Sequence, residues 1–453
     1  MLRRLSNIFR VPDLRNKVLF TVFVICLYQL GANVPIPGVS WSQVALLQSK
    51  SSSSGVLGFL NLFSGGALTR LAVFGLGVMP YITSTIVIQL LTTVIPKLAM
   101  WRDQGAEGQK HITQTTRYLT IGLALLQSTG LVYAFHGHDQ ALLGFNIDLI
   151  PKFSFWLGLF MVIIMTAGTG FVMWLAELIT QRGIGQGMSL LIFSNVVAKL
   201  PSGGQAVWQE GGPGKFIVIL TISLALLVFI VFMDQGQRRI PVTFARRVVG
   251  RREVGGNSTY IPLKVNQSGV IPIIFASSVL YIPVLLSNIV PWTWFVHWVN
   301  TSLNPTNFTY IFADFLLIFA FTFFYVYIAF EPHQQAEQLR QQGGFVPGIR
   351  PGQPTEAYFA KMLSRLTVVG AVFLAAVAVV PSLFMAFWHI TSFPYYGTTL
   401  LIATGVALQT MQQIDSQLMM RPVMTTSSRS LRSYASSTAS RSAAWSAVQH
   451  QWR

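Results

Sequence analysis

Charge is scarce in this 453-residue sequence, since only 10% of its residues are Asp, Glu, Lys or Arg. Soluble globular domains carry roughly a quarter charged residues, so the low share argues against that class. Cysteine is scarcer still: Cys26 is the one cysteine and has no second thiol for an intrachain disulfide. The composition therefore excludes a disulfide-stabilised secreted domain and points away from an ordinary soluble protein.

Sequence motifs for catalysis and cofactor binding are also missing. Residues 211–215 lack the glycine spacing of a phosphate-binding loop and the Ser or Thr that follows its lysine. The chain has no HExxH, no CxxC pair and no GxSxG motif. His136, His138 and Asp139 share one loop and allow a metal site, although such a trio is more often solvated. The sequence predicts a protein that is not an enzyme and holds no cofactor or metal.

Long apolar runs are what the sequence does contain. Hydrophobic residues make up 52% of the chain, and the mean hydropathy is +0.54. A helix needs about 20 apolar residues to cross a hydrocarbon core about 30 Å thick. Trp292, Trp294 and Trp298 beside the seventh run are typical of an aromatic belt at the membrane interface. We predict ten membrane-spanning helices, over residues 18–35, 76–96, 118–135, 154–175, 186–200, 216–233, 269–290, 309–330, 366–388 and 397–416.

Basic residues predict the orientation of these spans. Of the 31 Lys and Arg, 26 fall in segments on one side of the predicted membrane and five on the other. Loops rich in Lys and Arg remain in the cytoplasm, so both termini are predicted to be cytoplasmic. The basic N-terminus, 1–17, resembles a signal peptide, but no small-residue cleavage site follows it, so we expect the first span to be retained.

Three segments between the spans stand out. Residues 57–74 are half apolar but interrupted by Ser64, Gly65, Gly66 and Arg70, so we predict a re-entrant or interfacial segment. The loops 234–268 and 331–365 are long, and both are predicted to be cytoplasmic. Seven basic residues in the first, and the Gly- and Pro-rich stretch 343–352 in the second, favour structured binding loops. Charge that only sets topology is the alternative. The tail, 417–453, is rich in Ser, Ala and Arg and is predicted to be disordered, with anionic lipid as a partner.

Ionisable residues are rare inside the spans. Glu177, Asp234, Asp314, Glu331 and Asp415 all lie near predicted span ends. Coupled transporters usually place such groups near the membrane midplane, so a proton-coupled carrier is disfavoured. A small-solute transporter and a membrane scaffold without a pore remain the alternatives to a channel.

Six motifs, in order along the chain, resemble the SecY family, and the resemblance extends to about Met420. They lie at the end of the first span, in the re-entrant segment, at the starts of the second, fifth and seventh spans, and in the loop 331–365. The motifs are Asn33–Gly38, Asn61–Arg70, Gly77–Ile82, Arg182–Gly187, Pro262–Asn266 together with Gly269–Pro272, and Phe345–Gly352. The resemblance implies an all-α membrane protein with ten helices in two inverted five-helix halves around an hourglass pore, with a re-entrant plug helix. It also implies the plasma membrane of a Gram-positive-type bacterium.

The resemblance assigns three groups of residues to the channel itself. It implies a pore ring that four helices supply, formed by Val78, Ile82, Met188, Ile192, Ile274 and Ile402. It implies a plug over 57–74 that includes Asn61, Phe63, Ser64, Gly65, Gly66 and Arg70. It implies a lateral gate between the second and seventh spans, around Thr83, Gln127, Ser277, Ser278 and Ile282. Judged without the resemblance, the six ring residues would be ordinary lipid-facing or packing residues.

The resemblance also implies partners. It assigns the basic loop to ribosomal RNA through Arg246, Arg247, Arg251 and Arg252, and Arg350 to the SecA motor ATPase. It further implies the subunits SecE and SecG, signal peptides and nascent polypeptides as passengers, and SecDF and YidC as accessory partners. The function it implies is a protein-conducting channel, driven by SecA or by the ribosome. The tail 421–453 departs from the family pattern, because it contains no acidic residue.

Overall fold

The computed structural model describes residues 11–39, 64–136, 154–244, 246–249, 252–255, 258–289, 292–303, 307–387 and 398–418. Most of these residues are helical. A helix is what a long apolar run requires, because it pairs the backbone N–H and C=O groups within the run itself. Contacts divide the chain into two units, Met1–Val406 and Ala407–Arg453, and the described part of the second is the helical stretch 407–418. The helices are α1 Pro12–Asn33, α2 Met79–Val94, α3 Pro96–Asp103, α4 Ala106–His136, α5 Phe155–Arg182, α6 Gly187–Gln235, α7 Ile271–Ile289, α8 Thr293–Ser302, α9 Phe308–Ala329, α10 Pro332–Gln341, α11 Gln353–Phe387 and α12, residues 398–418.

The predicted spans are mainly helical where the structure describes them, although residues at some ends, such as 34–35, 76–78 and 269–270, are not. The fifth and sixth spans run together as α6, which is broken at Gly212 by the non-helical angles φ 69° and ψ 174°. Among the described residues, five helices are long and apolar enough to cross a membrane, or six if the pair bent by 97° between α2 and α3 forms one span. The described parts of the other predicted spans are shorter or less apolar.

The described part of the segment between α1 and α2 is not helical beyond its first residue. This part, residues 64–78, is a succession of tight turns with a single helical residue at Ser64, whereas a plug helix was expected. Gly65, Gly66 and Gly77 have φ values of 66°, 87° and 57°, which interrupt a right-handed helix at little cost only because glycine has no Cβ. The expected helical part upstream, 57–63, lies outside the described residues.

The Asn33–Gly38 motif holds these turns against the end of α1. Ile36 N donates to Leu71 O at 2.9 Å, and Val73 N donates to Val34 O at 2.9 Å. Pro35 and Ala72 face each other in an antiparallel bridge between these two bonds. In the sequence, this motif only indicated the family. The structure shows that it also holds the turns of residues 71–73 by backbone hydrogen bonds.

A small β structure replaces the predicted basic loop 234–268. Strands β1 Gln237–Phe244 and β4 Ser258–Lys264 pair antiparallel, and β5 Gly344–Phe345 adds to the other edge of β1. Strands β2 Arg246–Val249 and β3 Arg252–Gly255 form a separate hairpin. The alternation of buried Ile240 and Val242 with exposed neighbours in β1 is the pattern of a half-buried strand.

The loop 331–365 joins the same structure. It consists of α10, β5 and the first turns of α11, and the Gly- and Pro-rich stretch 343–352 contains β5. A single apolar cluster packs the two loops together with the end of α9. Its buried members are Ile240, Val242, Leu263, Val326, Phe330, Ala336, Leu339, Val346, Phe359 and Leu363.

Candidate functional site

The six predicted ring residues share one apolar cluster. Val78, Ile82, Ile192, Ile274 and Ile402 are buried members of the largest cluster in the described chain, and half-buried Met188 packs against it. They come from the start of α2, the first turns of α6, from α7 and from α12. The structure thus brings together side chains that are more than 300 residues apart in sequence.

Small residues allow the ring helices to approach closely. A Cβ on Gly187, at the start of α6, would lie 1.9 Å from the carbonyl oxygen of Ala176 in α5. A Cβ on Gly405 would lie 2.8 Å from the side chain of Val270, one residue before α7. Gly187 N also donates to Thr180 Oγ1 at 2.9 Å, which fixes the start of α6 against α5. These contacts set the positions of Met188, Ile192 and Ile402.

The described plug residues lie against α6. A Cβ on Gly65 would meet Asn195 Oδ1 at 2.6 Å, and one on Gly66 would meet Lys199 Nζ at 2.7 Å. Ser64 is buried and its Oγ accepts a hydrogen bond from Leu68 N at 3.3 Å. Arg70 is half-buried, and Asn61 and Phe63 lie outside the described residues. The backbone angles favour glycine at both positions, and the nearness of Asn195 adds a second reason at Gly65.

Two glycines on other helices complete the seat of this segment. A Cβ on Gly168 of α5 would lie 2.1 Å from Val73 O, and one on Gly31 of α1 would lie 2.0 Å from the ring of Phe74. Phe74 stacks on Tyr28 and on Phe171, with ring centroids 5.9 and 5.8 Å away. The segment is thus held by α1, α5 and α6 together.

A polar network beside this seat was not foreseen from the sequence. Asn195 is fully buried and donates from Nδ2 to Tyr28 Oη at 2.7 Å. Gln29 Nε2 donates to Ser194 Oγ at 2.7 Å and to Asn195 Oδ1 at 3.3 Å. Polar side chains within apolar runs are the one feature of the sequence that could have indicated such a network. The sequence did not show that the first and fifth spans are neighbours.

The predicted gate residues lie on helices that touch one another. Helix α7 contacts both α2 and α4. Ser277 and Ser278 are buried, whereas Thr83 and Gln127 are half-buried. Ile282 belongs to α7, but its side chain lies outside the described part of the structure.

The hydroxyl groups at this seam bond within their own helices. Thr83 Oγ1 donates to Met79 O and Pro80 O, both at 3.0 Å, and Ser278 Oγ donates to Ile274 O at 2.7 Å. Each hydroxyl has one proton, so these bonds leave Thr83 and Ser278 no donor to offer across the seam. These two hydroxyls therefore donate no hydrogen bond across the seam.

Three of the predicted partner arginines lie on the hairpin of β2 and β3, and Arg350 lies in the turn that follows β5. Arg246 and Arg247 belong to β2 and Arg252 to β3, where only the backbone is described, and Arg251 lies outside the described residues. Arg350 is exposed, and its carbonyl oxygen accepts a hydrogen bond from Thr355 Oγ1 at 2.8 Å. A further arginine, Arg239, stacks its guanidinium 4.8 Å from the centre of the Tyr260 ring.

Ion pairs connect the cytoplasmic ends of the helices. Arg117 binds Glu177 through two bonds of 2.9 and 2.5 Å, and Arg102 binds Glu331 at 2.5 Å. His333 Nδ1 lies 3.0 Å from Glu356 Oε2, and this hydrogen bond, followed by the carboxylate charge, raises the pKa of His333. Among the described residues, no three His, Cys, Asp or Glu side chains are placed to hold a metal ion. His138 and Asp139 of the loop trio lie outside those residues.

Comparison with known proteins places the chain in a family. The SecY family model matches residues 72–411. The protein translocase subunit SecY of Mycobacterium bovis is 46% identical over 435 residues, which cover 93% of this chain and 98% of the relative. That actinobacterial source agrees with the Gram-positive-type source that the motifs implied.

Solved structures show the same fold. A protein-conducting channel superimposes with a TM-score of 0.61 at 17% identity, over 88% of this chain and 91% of that one. Sec61 in a canine ribosome–channel complex gives a TM-score of 0.57 at 16% identity, over the same shares. The chain therefore belongs to the SecY family and is a multi-pass membrane protein with the ten-helix channel fold of that family.

Proposed function

We propose that this chain is the central, channel-forming subunit of the protein translocase. It conducts unfolded secretory polypeptides across the plasma membrane and releases transmembrane segments sideways into the bilayer. The observation that carries the proposal is the match to translocase subunits along 93% of the chain. The clustering of six aliphatic or thioether residues from four helices supports a pore ring at that place.

The ring provides a seal that binds nothing tightly. A narrow apolar constriction loses its water and so blocks ions, yet it offers a passing chain no strong contact. Met188 adds a flexible side chain that adapts to residues of different size. The plug segment, seated on α1, α5 and α6, closes the pathway on the outer side of the ring. The close fit around Gly65 and Gly66 supports this seat.

The lateral gate opens between α2 and α7. Each Leu or Ile of a signal segment gains about 0.3 to 0.6 kcal/mol on entering lipid. Hydrogen bonds between membrane helices average about 0.6 kcal/mol, so a dozen apolar residues outweigh several of them. Because the hydroxyls of Thr83 and Ser278 bond within their own helices, apolar packing is the main resistance to opening.

The cytoplasmic β structure is the docking surface for the machines that supply energy. The channel itself is passive, and the SecA motor or the ribosome drives transport. Arg246, Arg247, Arg251 and Arg252 bind ribosomal RNA, because guanidinium groups pair well with phosphate. Arg350 engages the motor, and its exposed position supports this role. SecE and SecG complete the complex, SecDF and YidC assist it, and the basic tail lies on anionic lipid.

Transport by the reconstituted protein tests the function. Vesicles that contain the chain with SecE and SecG, given SecA, ATP and a secretory precursor, should protect that precursor from added protease. A lumen without protected precursor, with uptake of a small solute instead, would contradict the channel function.

Arg350→Glu tests the motor site within the same assay. We expect at least a tenfold loss of motor-driven transport, because the reversed charge repels the acidic partner group that an arginine would bind. Arg340→Glu is the matched control, since Arg340 lies in the same region but already pairs with Glu337 at 2.7 Å. Equal transport by the wild type and the Arg350 variant would remove Arg350 from the motor site.

A further inference from the structure

An ion pair joins the two halves of the chain on the cytoplasmic side. Arg102 Nη2 lies 2.5 Å from Glu331 Oε2, with side-chain exposures of 33% and 38%. Arg102 belongs to α3, which connects the second and third spans. Glu331 follows α9, the eighth span, and is the residue before α10. The pair therefore connects one wall of the proposed lateral gate to the other.

Arg102 lies at the junction of α3 and α4, where close contacts hold the two helices together. Trp101 stacks on His111 of α4 at a centroid distance of 5.3 Å, and Lys97 Nζ lies 5.6 Å from the centre of the same indole. A Cβ on Gly108 would lie 1.7 Å from the carbonyl oxygen of Trp101, so the backbones of α3 and α4 touch. This corner moves as one piece with the ends of the second and third spans.

Glu331, the other partner of the pair, is held between the end of α9 and the start of α10. Phe330, just before it, is a buried member of the cytoplasmic apolar cluster. Pro332, just after it, opens α10, and Glu331 O accepts the hydrogen bond of Gln335 N at 3.1 Å. The carboxylate therefore follows the end of α9 and the docking surface rather than moving freely as a loop side chain.

We propose that the Arg102–Glu331 pair is a latch that determines how apolar a signal segment must be to open the gate. This inference rests on the proposed function. Separation of the second and third spans from the seventh and eighth pulls the two rigid mounts apart and breaks the bond. The pair thus stabilises the closed gate only, and its loss favours the open one.

The expected size of the effect follows from the exposure of the pair. A half-exposed ion pair changes an equilibrium about 1.5- to 5-fold. Each leucine of a signal segment changes the membrane-insertion equilibrium about two- to threefold. Breaking the latch should therefore compensate for the loss of about one or two leucines from a signal segment.

The chain offers a matched control that has the same chemistry. Arg117 and Glu177 pair at 2.5 Å, with side-chain exposures of 37% and 17%. They connect α4 with α5, the third and fourth spans, which lie in the same half of the chain. Opening of the gate leaves this pair intact, so its reversal should not change signal selection.

Charge reversal in the reconstituted complex tests the latch. The variants are Arg102→Glu, Glu331→Arg and the two together, with Arg117→Glu and Glu177→Arg as controls. Transport is compared for a precursor with its natural signal and for one that lacks two signal leucines. We expect each latch variant alone to raise the relative transport of the weakened precursor two- to fivefold, and the double reversal to restore the wild-type ratio. An unchanged ratio, or an equal rise in the controls, would overturn the latch.

A distance measurement separates this inference from the proposed function. Spin labels are attached at Gln104 and Gln342, both exposed, in a Cys26→Ala background. Each single latch variant should broaden the distance distribution toward longer values, and the double reversal should narrow it again. If the distances change in this way while neither the wild type nor any variant transports a precursor, the ion pair does hold the two sides together, and the proposed function is what fails. If wild-type transport is normal and the distances do not change, the latch fails alone.

Discussion

At the scale of residues, glycines determine how closely the plug segment can be held. Gly31, Gly65, Gly66 and Gly168 all lie where a Cβ would approach a neighbouring atom to less than 3 Å. The sequence marked Gly65 and Gly66 as helix breakers and family residues, but it gave no reason to single out Gly31 or Gly168. Helix periodicity does not show which face of a span meets another backbone, because an apolar span is apolar on all sides.

A one-residue comparison in α5 tests this fit. Gly168→Ala should destabilise the protein by about 1–3 kcal/mol, because its Cβ collides with the Val73 carbonyl group, which cannot easily move. Gly170→Ala, two residues on, is the control, since a Cβ there meets nothing within 4 Å. Thermal unfolding in detergent measures both. A Gly168→Ala variant as stable as the control would show that Val73 yields without cost.

At the scale of elements, the segment from Ser64 to Val78 has two parts that are held by different helices. Hydrogen bonds to Val34 and Ile36 fix its middle, and the stacked ring of Phe74 fixes its end. Its opening part contacts α6 through Gly65 and Gly66. The part best placed to swing away is thus the one before Leu71, whereas residues 71–74 stay with α1.

Deletion of residues 57–70 tests the plug. We expect a higher ion conductance of vesicles that contain the variant, because removal of the segment leaves the apolar ring as the remaining seal. Removal of the tail 421–453 is the control and should not change the conductance. Motor-driven transport in the same vesicles shows that the channel has assembled, and an unchanged conductance under that condition would refute the plug function.

At the scale of the whole molecule, alternating loop charge predicts which face is cytoplasmic. The two docking loops, the Arg102 corner and the proposed latch all fall on the predicted cytoplasmic side. Helix α8, with exposed Trp292, Trp294 and Trp298, falls on the other side. Phe295 and Val299 of this helix, with Leu303 just after it, pack against Leu280 of α7 and against residues of α9. Phe295 also stacks on Trp298 at a centroid distance of 6.4 Å, so an exposed tryptophan contacts this cluster directly.

Labelling of single cysteines checks this topology. In a Cys26→Ala background, Thr293→Cys should react with a membrane-impermeant maleimide added to intact cells. Thr259→Cys, which is exposed in β4, should react only after the cells are opened. Reaction at position 259 in intact cells would invert the topology and place the docking surface outside.

The sequence by itself determined the membrane class, the ten helical segments and the family. Apolar length and loop charge are local properties, and the motifs are contiguous, so neither depends on how the helices pack. Only the tertiary structure decided the β pairing between the loops 234–268 and 331–365, the turns at residues 65–78, and the Asn195 network. It also decided the Arg102–Glu331 pair, which joins residues 229 positions apart. Such contacts arise from packing between distant segments. An apolar helix has no polar face, so its sequence does not indicate which side packs against which neighbour.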